Sequence, residues 1–304
     1  MQIGLIGLGK MGANLARNLQ RNGFDVIAYD INTSLYKQLE REEIRTASTL
    51  MELVQQIKDR RLIWLMVPAG KVVDETLSNL TPLLKAGDVI IDGGNSNYKD
   101  SVRRARQLAA QQLEFLDCGT SGGVQGALEG ICAMIGGNRD TFRFAEPVFR
   151  AITVPEGFLY CGESGSGHFT KMVHNGIEYG MMQAIAEGFE LMESSEYDFD
   201  HRAVARMWNH GSVIRGWLME LTENAFSKDA RLDGIKGVMH SSGEGKWMVE
   251  AALEKNVPVP VIALSVLMRY RSQQSDTFSG KVVAALRYEF GGHAVNKQPG
   301  KTGL

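Results

Sequence analysis

Short apolar runs alternate with amphipathic stretches through the first half of the chain. Gln2–Ile6, Asp25–Tyr29, Leu62–Val67, Val89–Asp92, Glu114–Cys118 and Ile131–Ile135 are rich in Ile, Val, Leu and aromatic residues, the composition of strands. Between them Lys10–Asn22, Ser34–Arg41, Val72–Leu84, Tyr98–Gln111 and Asp140–Phe149 read as helices. Alternation of this kind predicts a doubly wound, mainly parallel α/β sheet. The pattern changes at Gly162-Glu163-Ser164-Gly165-Ser166-Gly167. Beyond it the sequence is helical almost throughout, from His168 to about Glu196, then Arg202–His210, Ile214–Phe226, Gly245–Glu254 and Val261–Tyr270. The expected organisation is a Rossmann-type domain over 1–163 followed by an all-α domain over 164–304. Its last stretch, Asn296–Leu304, is polar with one Pro and two Gly, and is expected to be a loose tail.

Composition narrows the function. At 304 residues the chain can bury two cores, and its 44% hydrophobic and 22% charged residues are an ordinary globular balance. A net charge of −2 leaves no wide basic field for nucleic acid or an anionic membrane. An anionic substrate must therefore be met by a few local Arg or Lys side chains. No apolar run approaches the roughly 20 residues of a transmembrane helix, and the chain opens directly on a strand, so a cytoplasmic protein is expected. Cys118, Cys132 and Cys161 are odd in number and lack metal-ligand spacing; they read as reduced, mostly buried thiols, and no metal is expected.

Gly7-Leu8-Gly9-Lys10-Met11-Gly12 fits the dinucleotide fingerprint, and it lies where that fingerprint needs to lie, after a strand and opening a helix. The glycines permit a tight turn, close approach of backbone to pyrophosphate, and close helix–strand packing. The helix N-terminus offers free N–H groups to the phosphates. Asp30 ends the second strand 18 residues after Gly12, where a carboxylate accepts hydrogen bonds from both ribose hydroxyls and repels a 2′-phosphate. No Arg follows in Ile31-Asn32-Thr33, so NAD is favoured over NADP. Val67, Pro68 and Asn95, at the ends of later strands, complete the expected cofactor set.

The first helix after the glycine-rich break carries Lys171, His174, Asn175 and Glu178 at i, i+3, i+4 and i+7, one face of a helix. That face offers a potential base, an imidazole, an amide and a carboxyl group, with Lys171 and Glu178 about 10.5 Å apart along the axis. A solvated face with a charge pair is the plainer alternative. Two segments that follow strands, Asp92-Gly93-Gly94-Asn95-Ser96 and Thr120-Ser121-Gly122-Gly123-Val124, fall at the carboxyl edge where open α/β sheets bind ligands; an ordinary turn is the alternative for each, and their shared place at strand ends favours one site.

These residues together resemble the 6-phosphogluconate dehydrogenases over nearly the whole chain. The specific pieces are Ile91 through Ser96, Ser121-Gly122-Gly123, Lys171 through Gly180, Gly245-Lys246-Trp247, and Arg287 through His293. The resemblance implies oxidative decarboxylation of 6-phosphogluconate, with Lys171 as general base and Glu178 as general acid. It places substrate contacts at Asn95, Ser121, Gly122, Gly123, His174, Asn175, Tyr179, Arg269, Arg287 and His293. In longer relatives the last Arg and His come from a partner subunit's tail, which implies a homo-oligomer whose C-terminal tail completes a neighbour's site. This chain resembles the short form, without the second helical repeat of long relatives. Ser242 stands where those relatives carry a phosphate-contacting Lys, and Asp30-Ile31 where NADP users carry Asn-Arg. A β-hydroxyacid dehydrogenase without decarboxylation shares the features up to Lys171, but His174, Glu178 and the Arg287–His293 segment argue against it. Intact Lys171 and Glu178 argue against a silent NAD-binding sensor.

Overall fold

The structure, a computed structural model, describes residues 1–296. Eight strands form one sheet: β1 Gln2–Ile6, β2 Asp25–Tyr29, β3 Arg45–Thr46, β4 Leu62–Leu65, β5 Val89–Asp92, β6 Glu114–Ser121, β7 Ile131–Gly137 and β8 Thr153–Gly162, in the order β3-β2-β1-β4-β5-β6-β7-β8. All neighbours are parallel except β6 and β7. Helices α1 Lys10–Arg21, α2 Tyr36–Arg41, α3 Leu50–Gln56, α4 Lys71–Leu80, α5 Tyr98–Ala109, α6 Gly123–Glu129 and α7 Arg139–Ile152 connect the strands. The remaining helices are α8 Ser166–Glu193, α9 His201–Asn209, α10 Trp217–Lys228, α11 Glu244–Glu254, α12 Pro260–Ser272 and α13 Phe278–Gly291. The fold class is the one expected, a Rossmann-type sheet followed by helices.

The central strands are continuous apolar runs because both faces are covered. Ile3, Leu5, Leu62, Trp64, Val89 and Ile91 pack with Leu15 and Leu19 of α1 and Phe149 of α7. The alternate residues Ile6, Ile63, Leu65 and Ile90 pack with Leu53 of α3, Leu77 of α4 and Leu108 of α5. The chain reverses between β1 and β4, so the crevice at their carboxyl ends is the binding position of such sheets.

The chain divides into two compact units. The first comprises Met1–Glu178 with Glu244–Val257, and the second Tyr179–Gly243 with the chain from Pro258 onward. Helix α8 thus begins in one unit and ends in the other, and α11 belongs to the first. In the second unit Phe189, Ala205 and Met219 bring α8, α9 and α10 together. Helix α13 has no buried residue. No helix of the described residues is long and apolar enough to cross a membrane.

Five elements have no counterpart in the sequence reading: β3, β8, α3, α6 and α13. Strand β8 carries Pro155 and Gly157 and shifts register against β7, which breaks its alternation. Strand β6 runs on to Ser121, so Thr120 and Ser121 are its last residues rather than part of a following turn. Of the three thiols, Cys118 alone is buried; Cys132 is exposed and Cys161 intermediate, which corrects the expectation of mostly buried cysteines. Full burial pushes the Cys118 thiol well up, and partial desolvation of its sulfur raises the Cys132 thiol, so neither is a ready thiolate. The expected tail, Asn296–Leu304, lies outside the described residues from 297 onward.

Candidate active site

The first unit holds a cleft of about 670 Å³ along the carboxyl ends of β1, β2, β4, β5 and β6. Gly7, Gly9, Lys10, Met11, Gly12, Asp30, Val67, Pro68 and Asn95 all line it. The three glycines have separate reasons. Gly7 sits at φ +99°, and a Cβ there would lie 2.5 Å from the Met66 carbonyl oxygen. A Cβ on Gly12 would lie 1.9 Å from the Gly7 oxygen, so this glycine lets α1 start against the turn. A Cβ on Gly9 would meet nothing within 4 Å, so protein packing does not demand that glycine. Open space over Gly9, at the uncapped N-terminus of α1, fits a pyrophosphate. The Asp30 carboxylate accepts the Leu8 N–H at 2.5 Å and the Asn32 N–H at 2.7 Å, which fixes it between the glycine turn and the end of β2. Each carboxylate oxygen has a second lone pair for a ribose hydroxyl. Ile31 beside it is 92% exposed. Glu75, Thr76 and Asn79 of α4 also line the cleft, and no motif pointed to them.

At the β5 end of the cleft, Asn95 adopts φ +54°. Its amide clasps the end of β6: Oδ1 accepts the Thr120 N–H at 2.9 Å and Nδ2 donates to the Thr120 carbonyl at 3.3 Å. The next residue, Ser121, places its Oγ 3.2 Å from His174 Nε2. Gly122 and Gly123, at φ +119° and +63°, turn the chain from β6 into α6. His174 Nδ1 stands 3.0 Å from Asn175 Oδ1, 3.5 Å from Lys171 Nζ and 3.8 Å from Glu178 Oε2. The imidazole thus occupies the gap between the two groups that spacing placed seven residues apart. With the proton on Nδ1, Asn175 accepts it and Ser121 Oγ–H donates to Nε2; this tautomer satisfies both ring nitrogens.

Lys171 is 5% exposed. Burial holds its ammonium below the usual lysine value, opposed by the carboxylates of Glu178 and Glu244 and by Cys132. Gly119 in β6 makes the seat for this side chain, because a Cβ there would lie 2.3 Å from Lys171 Cβ. The start of α8 is pinned by Asp117, whose carboxylate accepts the Gly165 N–H at 2.6 Å and the His168 N–H at 2.8 Å. Sequence reading missed Gly119, Asp117 and Glu244. A glycine in the middle of an apolar strand was the available signal for the first, since it often marks a close approach.

The remaining expected substrate residues belong to the second unit. Tyr179 is buried, and the Arg269 guanidinium stacks 3.7 Å from its ring centroid. Arg269 Nη1 also donates to the His240 carbonyl at 2.9 Å. Arg287 is an exposed residue of α13, and His293 is exposed just beyond the Gly292 cap. The structure therefore gathers Asn95, Ser121, Lys171, His174, Asn175 and Glu178 in one unit, pairs Tyr179 with Arg269 in the other, and leaves Arg287 exposed in α13 and His293 exposed just after it.

Residues 2–162 match the family model for the NAD binding domain of 6-phosphogluconate dehydrogenase, and 167–297 that for the 6-phosphogluconate dehydrogenase C-terminal domain. A Bacillus subtilis protein provisionally named 6-phosphogluconate dehydrogenase YqeC is 55% identical over 298 residues, covering 98% of this chain and 100% of its own. A Haloferax volcanii protein named as an NAD(+)-dependent, decarboxylating 6-phosphogluconate dehydrogenase is 44% identical over 300 residues, covering 98% and 99%. Among solved structures, Plasmodium falciparum 6-phosphogluconate dehydrogenase superposes with a TM-score of 0.83 at 30% identity, covering 99% of this chain and 67% of its own.

Proposed function

This chain belongs to the 6-phosphogluconate dehydrogenase family, and from that premise we propose that it oxidises 6-phosphogluconate with NAD and decarboxylates the product to ribulose 5-phosphate. The observation that carries the reading is a buried lysine of lowered basicity, with His174 standing between it and a carboxyl group and bonded through Ser121 to the strand end that Asn95 holds at the dinucleotide cleft. Bound NAD supplies the two-electron acceptor. Neutral Lys171 takes the proton of the C3 hydroxyl as the hydride departs from that carbon. The resulting 3-keto acid has its carboxylate β to the ketone. When the C1–C2 bond breaks, its electron pair passes towards the C3 oxygen, where the Lys171 ammonium stabilises the developing charge. Glu178 then donates a proton to the former C2, converting the enediol into the ketopentose phosphate. His174 and Asn175 hold the substrate between these groups, and Ser121, Gly122 and Gly123 border it.

The preference for NAD rests on Asp30 and its exposed neighbour Ile31, which together offer a 2′-phosphate a carboxylate and no cation. The phosphate of the substrate is assigned to Arg269 and Arg287, helped by Tyr179 and His293, because planar guanidinium groups give charge-assisted, well-directed bonds to a dianion. The homo-oligomer is supported by α13. Phe278, Val282, Leu286 and Phe290 form a stripe at four-residue spacing, and each is exposed. A helix of this length is marginal without tertiary packing, so a second copy of the chain is assigned to that stripe. An assay of NAD and NADP reduction across phosphorylated and free sugar acids tests the reading. NAD with 6-phosphogluconate should give the highest kcat/KM, and equal rates with unphosphorylated gluconate would reject it.

A further inference from the structure

Arg104 is buried to 1% exposure, in α5, and does not line the dinucleotide cleft. Its guanidinium reaches four acceptors on two segments that do. Nη1 donates to Asp92 Oδ2 at 3.2 Å and to Ser96 Oγ at 3.0 Å. Nε donates to Asp74 Oδ1 at 2.8 Å, and Nη2 to the Gly70 carbonyl at 2.9 Å. Asp92 in turn accepts the Ser96 hydroxyl at 2.7 Å and the Gly94 N–H at 3.1 Å, so the loop 92–96 is wrapped around one buried carboxylate. That loop presents Gly93, Gly94 and Asn95 to the cleft, and holds Asn95 in its left-handed conformation against Thr120. Gly70 and Asp74 open α4, whose Val72, Glu75 and Thr76 line the cleft as well.

We infer that Arg104 is a positioning residue for cofactor binding, a buried fork that ties the Asn95 loop to the first turn of α4 and so sets the spacing of two cleft walls. The geometry requires a guanidinium. Its donors diverge in a plane from one rigid group, and a lysine ammonium at the end of a flexible stem cannot meet carboxylate, hydroxyl and carbonyl on both segments together. The inference rests on the dinucleotide reading of the cleft, and for its second arm on the sugar-acid reading of Asn95. NADH binding is therefore measured directly by fluorescence titration, whatever the substrate. Asp74→Ala removes one of the two ties to α4 and leaves the Gly70 tie, at a half-exposed residue that also pairs with Arg103; it should weaken NADH about fivefold and leave the KM for 6-phosphogluconate within twofold of wild type. Arg104→Lys frees the loop as well; it should weaken NADH tenfold or more and also raise the KM for 6-phosphogluconate, with kcat changed less than threefold. A role in stability alone would lower the melting temperature of both variants while the NADH affinity of the folded proteins stayed within twofold of wild type. That result would overturn the inference. Wild-type enzyme that failed to bind NADH would instead refute the dinucleotide reading itself.

Discussion

At the scale of single residues, the proposed chemistry rests on Lys171, and the burial of this side chain has consequences in two measurements. General acid–base groups contribute on the order of 10²–10⁴-fold. Lys171→Met should lower kcat by at least that much with the fold intact, and Glu178→Gln should slow formation of the ketopentose more than the oxidation itself. Because the native lysine releases its proton below the ordinary value of 10.5, kcat/KM should rise with pH through an apparent pKa under 10.5. Stability should follow the same proton. Between the lowered native value and 10.5 the unfolded chain binds more protons than the folded one, so the cost of burying this ammonium is full at lower pH and is relieved as pH rises. Lys171→Met should therefore raise the melting temperature near pH 7, with the gain shrinking towards pH 10.5. A variant no more stable than wild type at either pH would contradict the buried ammonium. Asp30→Asn with Ile31→Arg should move the kcat/KM preference towards NADP, and an unchanged ratio would reject Asp30 as the discriminating group.

At the scale of elements, the site depends on how closely β6 and β7 approach the first turns of α8. A Cβ on Gly119 would meet Lys171 Cβ at 2.3 Å, and one on Gly167 would meet the Met134 oxygen at 2.4 Å. A displacement of about 1 Å in a reacting group can cost 10²-fold. Gly119→Ala should thus lose one to two orders of magnitude in kcat while NADH still binds; wild-type turnover would show that the seat is not tight. Much of this arrangement was legible beforehand. Glycine spacing after β1, the carboxylate ending β2 and the stripe on α8 are local patterns, set by turn geometry and helix periodicity. What escaped the sequence depends on neighbours distant in the chain. Helix α6 contains two glycines in seven residues and α13 buries nothing of its own, so neither has the inward-facing stripe that marks a packed helix. Asp117 and Arg104 read as ordinary charges until the fold brings Gly165, His168, Asp92 and Gly70 to them. His174 was one member of a polar stripe; that it joins Ser121, Lys171 and Glu178 is visible only once β6 runs beside α8.

At the scale of the whole molecule, the proposal of a working unit larger than one chain rests on the exposed stripe of α13 and the exposed Arg287. Large apolar side chains contribute about 1.5–3 kcal/mol each when buried. Leu286→Asp should therefore dissociate the oligomer in sedimentation experiments, whereas a wild-type chain already monomeric at micromolar concentration would rule the interface out. Arg287→Ala should raise the KM for 6-phosphogluconate far more than it changes NAD affinity. If Arg287 serves a neighbour's site, mixing inactive Lys171→Met subunits with Arg287→Ala subunits should restore sites holding both groups. Demonstrated subunit exchange without recovered activity would assign the arginine to its own subunit or to neither. The central claim, that one lysine and one glutamate couple oxidation to loss of the carboxylate, is tested most directly by stoichiometry. Purified enzyme is given NAD and 6-phosphogluconate labelled at C1, and NADH and labelled carbon dioxide are counted together. Equal amounts of the two, falling together in Lys171→Met, are the expected result. NADH formed without carbon dioxide, or no NADH from this substrate, would contradict it.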